Sequence, residues 1–422
     1  MRRESSPAAA PSGIAFANPM LAMAGIPEAN SEQAALEREQ RVTTLELFFD
    51  LVFVFAITQV TGFIYHDPTW TTLVEALAIL MVLAVAWSGY AWLGNTAGTD
   101  EGAIRVVLLG AMGPLLIASL AVPQAFGEDA LVFGVAFFFV RALHIAAYAL
   151  LAREDPTLRI VVARLAQTML PAAGVLVLAG LVPGPYRAIC WVTALAIDYA
   201  GLILRGTESW RVEPAHFAER HGLLVIIALG ESIVALGVGA SGLGIDAGVV
   251  TGALLGIAVA AALWWAYFDR VASAAERTLR AASPREQARI ARDSYSYLHL
   301  PMVAGIVFFA FAVETTLTHA GSRLQSPAAV ALCGGVALYF LALSAFERST
   351  GGSFNRPRLV GAATLVLLAP AAMRVPSLVT LALVAAVAVG VAGSGELRPS
   401  LLSVIRQPIS PIDHPHQNRS TP

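Results

Sequence analysis

Apolar runs of membrane length dominate the chain and are separated by short polar breaks that carry arginine. A spanning helix needs about 20 mostly apolar residues. Twelve such runs stand at 45–65, 71–93, 103–122, 130–152, 159–182, 187–205, 221–239, 247–269, 296–318, 327–347, 358–373 and 376–394. The last two crowd Pro370 and Pro376, so a re-entrant hairpin is the alternative there. The flanks are different. Residues 1–40 are rich in Ala, Pro, Ser and Glu, and 395–422 carry several prolines, a composition that favours disordered tails. The pattern predicts an all-α polytopic membrane protein of about 12 transmembrane helices.

Charge orients the helices. Of the 27 basic residues all are arginine. With the N-terminus in the cytoplasm, outside loops hold only Arg187, Arg323 and Arg374, Arg141 falls inside a helix, and the rest lie inside. Such an asymmetry predicts a bacterial inner-membrane protein with both termini cytoplasmic. The longest inside connection, 270–295, mixes Ala with Arg and Glu. It reads either as an amphipathic helix near anionic headgroups or as a solvated linker.

The two halves overlay. Glu46 falls on Glu219, Trp87 and Tyr90 fall on Trp264 and Tyr267, Pro114 falls on Pro301, and V-A-F-F-F at 135–139 falls on V-A-L-Y-F at 336–340. Two parallel six-helix repeats follow, 41–205 and 219–394, joined by a cytoplasmic linker at 206–218. In this register Thr58 aligns with Glu231 and Asp50 with Leu223.

Composition agrees with a lipid solvent: 57% hydrophobic, 13% charged and a mean hydropathy of +0.69, where soluble domains carry about 25% charged residues. A net charge of −2 gives no reason to expect nucleic acid as a partner. Cys190 and Cys333 lie in apolar runs and read as small hydrophobes. No phosphate loop or zinc motif is present, so neither cofactor nor metal is expected. Expected partners are the bilayer and a small molecule or ion, with a homo-oligomer left open.

Polar residues inside apolar helices are costly and mark working interiors. Glu46 and Asp50 are four apart on one face of the first run, about 8 Å of helix rise separating Asp50 from the inner boundary. Arg141, His144 and Tyr148 share a face of the fourth run. Arg141 needs a carboxylate, and Glu231 is the first choice ahead of Asp198 and Asp50. His144 reads as the one histidine at mid-membrane. Glu231 and Ser232 follow Gly230 in a seventh run whose glycines suggest close packing or local unwinding. Glu314 is placed near the outer surface, and Arg220 and His221 near headgroups. The aromatics Phe49, Trp87, Tyr90, Trp264 and Tyr267 form either an interfacial belt or the lining of an inner pocket.

L-E-L-F-F-D-L-V-F-V-F-A-I-T-Q, together with E-R-H-G-L-L-V-I-I-A-L-G-E-S-I, resembles the bacterial low temperature requirement protein A (LtrA) family over about 41–395. The resemblance implies a multipass inner-membrane protein, with Glu46, Phe49, Asp50, Glu219, Arg220, Gly230, Glu231 and Ser232 at motif positions. A looser likeness is to the potassium-channel family bearing R-x-x-x-F-S-D, from which this chain departs because Phe49 directly precedes Asp50. Three functions stay open: a secondary transporter or ion-conducting protein using an intramembrane Asp/Glu/Arg network, a membrane-embedded enzyme acting on an isoprenoid or lipid, and an envelope scaffold.

Overall fold

The computed structural model describes residues 42–96, 102–204 and 210–394. Both expected tails, and residues 206–209 of the expected linker, lie outside the described residues. In chain order the helices are α1 (Thr44–His66), α2 (Trp70–Thr96), α3 (Gly102–Leu120), α4 (Ala130–Leu151), α5 (Pro156–Leu181), α6 (Gly184–Leu204), α7 (Pro214–Ala240), α8 (Ala247–Phe268), α9 (Val271–Ala281), α10 (Pro284–Ile290), α11 (Tyr297–Thr318), α12 (Ser326–Ser349), α13 (Arg356–Ala372) and α14 (Ser377–Gly393). Among the described residues nine helices are long and apolar enough to cross a membrane.

Local chemistry sets the helix starts. Thr43 and Glu46 form a capping box: the Thr43 side chain accepts from the Glu46 N–H, and the Glu46 carboxylate accepts from the Thr43 N–H at 3.0 Å. Asp155 caps α5, Asp246 caps α8 and Asn355 caps α13 through side-chain oxygens. Proline opens α5, α7, α12 and α13, where a missing N–H costs nothing.

Packing runs mostly between sequence neighbours, closed by one longer-range contact in each half. In the first half α1 packs on α2 and α3, α3 on α4, α4 on α5, α5 on α6, and α2 on α6. In the second half α7 packs on α8 and α11, α11 on α12, α12 on α13, α13 on α14, and α8 on α14. The halves meet where α1 and α2 touch α7 and α11. Deepest of all is the α11/α12 pair. A Cβ on Gly305 would stand 2.5 Å from the Gly335 carbonyl oxygen, and one on Gly335 2.6 Å from that of Gly305. The two backbones touch there, which only glycine permits.

The 270–295 segment is helical rather than an irregular linker, and its first helix is amphipathic, as expected. It folds as α9, α10 and a π-helical turn, Ala291–Ser296, that leads into α11. Val271, Ala275 and Leu279 of α9 are buried against α7 and α8, so the apolar face is spent on protein, while Arg277 and Arg280 point outward.

Candidate functional site

Two polar levels lie along the seam between the halves. At the first level, near the start of α1, Asp50 of α1 receives both terminal nitrogens of Arg220 of α7, at 2.6 and 3.0 Å. A bidentate pair of this kind is geometrically specific. Trp87 of α2 donates its indole N–H to Asp50 at 3.0 Å, and the Arg220 guanidinium sits 5.3 Å from the Trp87 ring centroid. Glu46 Oε2 lies 3.0 Å from His216 Nε2, and Glu46 Oε1 lies 3.9 Å from Arg220 Nε. Asp50, Arg220 and Glu46 are all buried, at 2%, 1% and 2% exposure.

Behind this cluster His221 is wholly buried. Its Nδ1 donates to the Phe217 carbonyl at 2.9 Å, and its Nε2 has no hydrogen-bond partner among the described residues. The His299 ring of α11 lies 5.1 Å away. His299 donates from Nδ1 to Tyr295 O, so its Nε2 accepts from the Tyr267 hydroxyl at 2.9 Å.

At the second level, further along both helices, Glu231 of α7 accepts from the Thr58 hydroxyl of α1 at 2.5 Å. No cation pairs with it among the described residues. Glu314 of α11 is buried rather than solvated. Asp50 meets Arg220 and Thr58 meets Glu231, so α1 and α7 run parallel, with roughly 12–17 Å of helix rise between levels. Phe53 and Ile57, Leu224 and Ala228, and Val303 and Ile306 are among the buried residues of the intervening stretch.

Several expectations are corrected. Arg141 pairs with Asp198 of α6 at 2.7 Å, not with Glu231. Being an i+57 neighbour across α4 and α6, Asp198 keeps that pair inside the first half. Arg220 and His221 do not face headgroups. Helix α7 starts at Pro214, well before the expected 221, which carries both into the interior. Among the described residues His144 is one of four buried histidines, with His216, His221 and His299. It sits between Tyr90 and Tyr148, 5.1 Å from each ring, and its Nε2 donates to Gly89 O at 3.0 Å. Helix α7 is unbroken at Glu231, and a Cβ on Gly230 or Gly237 would meet nothing within 4 Å. The close approach is instead at Gly239, where a Cβ would stand 2.9 Å from Glu314 O. Ser232 is fully buried beside Glu231, its hydroxyl without a partner among the described residues.

The aromatics divide. Phe49 packs on Tyr90 at 4.8 Å, and Tyr90 donates to Val140 O at 2.8 Å. Trp87 and Tyr267 join the polar network, but Trp264 is 44% exposed and belongs to the outer surface. A cavity of about 100 Å³ has other walls, including Trp92, His144, Tyr148, Tyr199, Trp210 and Tyr297. The residues missed from the sequence are His216 and His299, and Arg220 was named as a motif position but placed near headgroups. Pro214 was the available signal, since proline favours the first helical position and would have moved the helix start inward.

Comparison with known proteins agrees with the motifs. The chain is 28% identical over 306 residues to the uncharacterized protein RA0937 of Rhizobium meliloti (strain 1021), covering 70% of this chain and 74% of that one. Residues 41–393 match the model of the bacterial low temperature requirement A protein (LtrA). An all-helical chain with helices of membrane length, matched over nearly its whole described extent, belongs to the LtrA family.

Proposed function

We propose that this protein is a secondary transporter or ion-conducting protein of the bacterial cytoplasmic membrane, with twelve crossings in two parallel six-helix repeats and both termini inside. The matching helix contacts of the two halves support the repeat. So does the Thr58–Glu231 hydrogen bond, because these residues are counterparts in the repeat register. In a two-fold arrangement only residues near the axis touch their own counterparts.

The observation that carries the transport reading is Glu231. It is a buried carboxylate in a membrane-length helix, held by a hydroxyl and by no cation among the described residues. A carboxylate with no fixed counter-charge can take up a proton or cation and release it. A purely structural core would have paired it, as Arg141 and Asp198 are paired. The enzyme reading needs room for a lipophilic substrate. The mostly apolar cavity of about 100 Å³ is smaller than the ~150 Å³ cavity that takes one benzene, and the roomier one, about 830 Å³, is walled by Asp269, Arg270, Glu347, Arg356 and Arg358, a poor match for an apolar chain.

The test is flux in proteoliposomes. Glu231→Gln keeps the hydrogen bond from Thr58 and removes the charge, so ion or substrate flux falls at least tenfold while the thermal melt stays near that of the wild type. Unchanged flux removes Glu231 from the mechanism.

A further inference from the structure

Buried polar atoms that lack a partner collect around one space. The cavity of about 100 Å³ lies between α2, α4, α5 and α6 of the first half and the start of α11 in the second. His144 and Tyr148, each 1% exposed, line it together with Tyr297. His144 Nδ1, Tyr148 Oη and Tyr297 Oη are buried and have no hydrogen-bond partner among the described residues. Buried polar atoms of this kind call for something that completes their hydrogen bonds.

All three can accept. His144 Nε2 meets the Gly89 carbonyl at 3.0 Å, so Nε2 holds the ring proton and Nδ1 offers a lone pair. Tyr148 also feels the Thr96 hydroxyl. Thr96 gives its own proton to Trp92 O at 2.8 Å, so a proton shared there is that of Tyr148, which keeps its lone pairs. The Tyr297 hydroxyl rotates and accepts as well. Several neighbouring donors are already spent: Trp92 Nε1 on Ser296 Oγ, Ser296 Oγ on Ala291 O, and Tyr199 Oη on Met81 O. The lining cation Arg292 is paired with Asp293 at 2.6 Å, and Arg141, one turn before His144, with Asp198 at 2.7 Å.

The walls are aromatic. Trp210 stands edge-on to Trp92 and to Tyr148, with ring centroids 5.4 and 5.7 Å away and planes at 66° and 86°. Tyr199 and Tyr297 add two more rings. Rings set at steep angles form the corner of a cage, and ring faces attract a cation.

We propose that this cage binds a primary ammonium group. Such a group carries three N–H donors, no acceptor and one positive charge. That set matches three free acceptors, aromatic walls and lining charges that already cancel. An anion would instead meet the His144 lone pair and the ring faces. The space is smaller than the ~150 Å³ that takes one benzene, so it fits a head the size of methylammonium. The ammonium belongs either to a free small amine or to the headgroup of an aminophospholipid. The site is separate from Glu231 and does not rest on the transport reading.

The experiment is a titration of methylammonium chloride into protein held in phosphatidylglycerol nanodiscs, read by tryptophan fluorescence because Trp92 and Trp210 are two of the walls. The expected result is a saturable change that neither potassium chloride at equal ionic strength nor methanol, an uncharged molecule of similar size, produces. Tyr148→Phe/Tyr297→Phe keeps both rings and removes two acceptors. Its half-saturation concentration rises at least tenfold while the thermal melt stays near that of the wild type. If the double variant does not fold, each single variant raises it at least threefold. No saturable change, which leaves only ordered water in the cavity, overturns the proposal. So does equal saturation by methanol or potassium chloride, or an unchanged half-saturation in the phenylalanine variants. Glu231→Gln leaves the titration as it is; a signal lost there assigns the ammonium to Glu231 and overturns the cage. Repeating the titration with phosphatidylethanolamine in the nanodiscs separates the two sources. A headgroup occupant raises the half-saturation concentration at least threefold, and a free amine leaves it unchanged.

Discussion

Removing Arg220 should be the most damaging single change at the seam. In Arg220→Met the Asp50 carboxylate keeps only the Trp87 N–H at 3.0 Å, and loses both of its charge-assisted bonds. Breaking a buried ion pair from one side costs about 3–5 kcal/mol. Loss of the guanidinium over the Trp87 ring adds roughly 0.5–2 kcal/mol. A total near 4–6 kcal/mol is expected. The double variant Arg220→Met/Asp50→Leu removes both charges. An apolar replacement of a whole pair is close to neutral, so the main remaining cost is the stranded Trp87 N–H, about 1–3 kcal/mol. The double variant is thus more stable than the single one. Unfolding titrations in mixed micelles, with tryptophan fluorescence and circular dichroism as joint readouts, measure both. A single variant within about 1 kcal/mol of the wild type, or a double variant weaker than the single, would falsify the assignment of this pair as a buried, mutually dependent unit.

Two other outcomes follow from the geometry. A double-mutant cycle of Arg141→Met with Asp198→Leu shows strong coupling, whereas Arg141→Met combined with Glu231→Gln is additive within about 0.5 kcal/mol; the reverse ranking would restore Glu231 as the partner of Arg141. Gly230→Ala raises stability by roughly 0.5–1 kcal/mol because its Cβ enters open space in a helix, while Gly239→Val lowers it by about 1–3 kcal/mol by overpacking against Glu314 O, and thermal melts in nanodiscs separate the two.

Helices were legible because their signal is spread over many residues. Apolar runs of membrane length marked where helices lie, and the Glu46, Asp50 and Glu231 positions marked which faces matter. Partner choice was not legible. Arg141 had several carboxylates at compatible depth, and only the packing of α4 against α6 selects Asp198. Arg220 and His216 were hidden by a boundary error at the start of α7. A shift of about two turns decides whether an arginine faces headgroups or a buried carboxylate. Trp264 shows the opposite limit: its alignment with Trp87 was readable, yet the one is 44% exposed and the other 2% exposed. Positions that the sequence overlay pairs meet different neighbours, and the overlay carries no information about them.

The Gly305–Gly335 contact has a mechanical consequence. Side chains between two helices act as bearings, because they change rotamer and let the helices slide or roll. Where backbone lies directly on backbone there is no bearing, so α11 and α12 move as one stiff lever. That lever carries His299 near one end and Glu314 near the other. A tilt of the α11/α12 lever therefore displaces both residues at once. Events at the two ends of the seam are tied by a rigid beam and need no relay of side chains through the apolar layer between them.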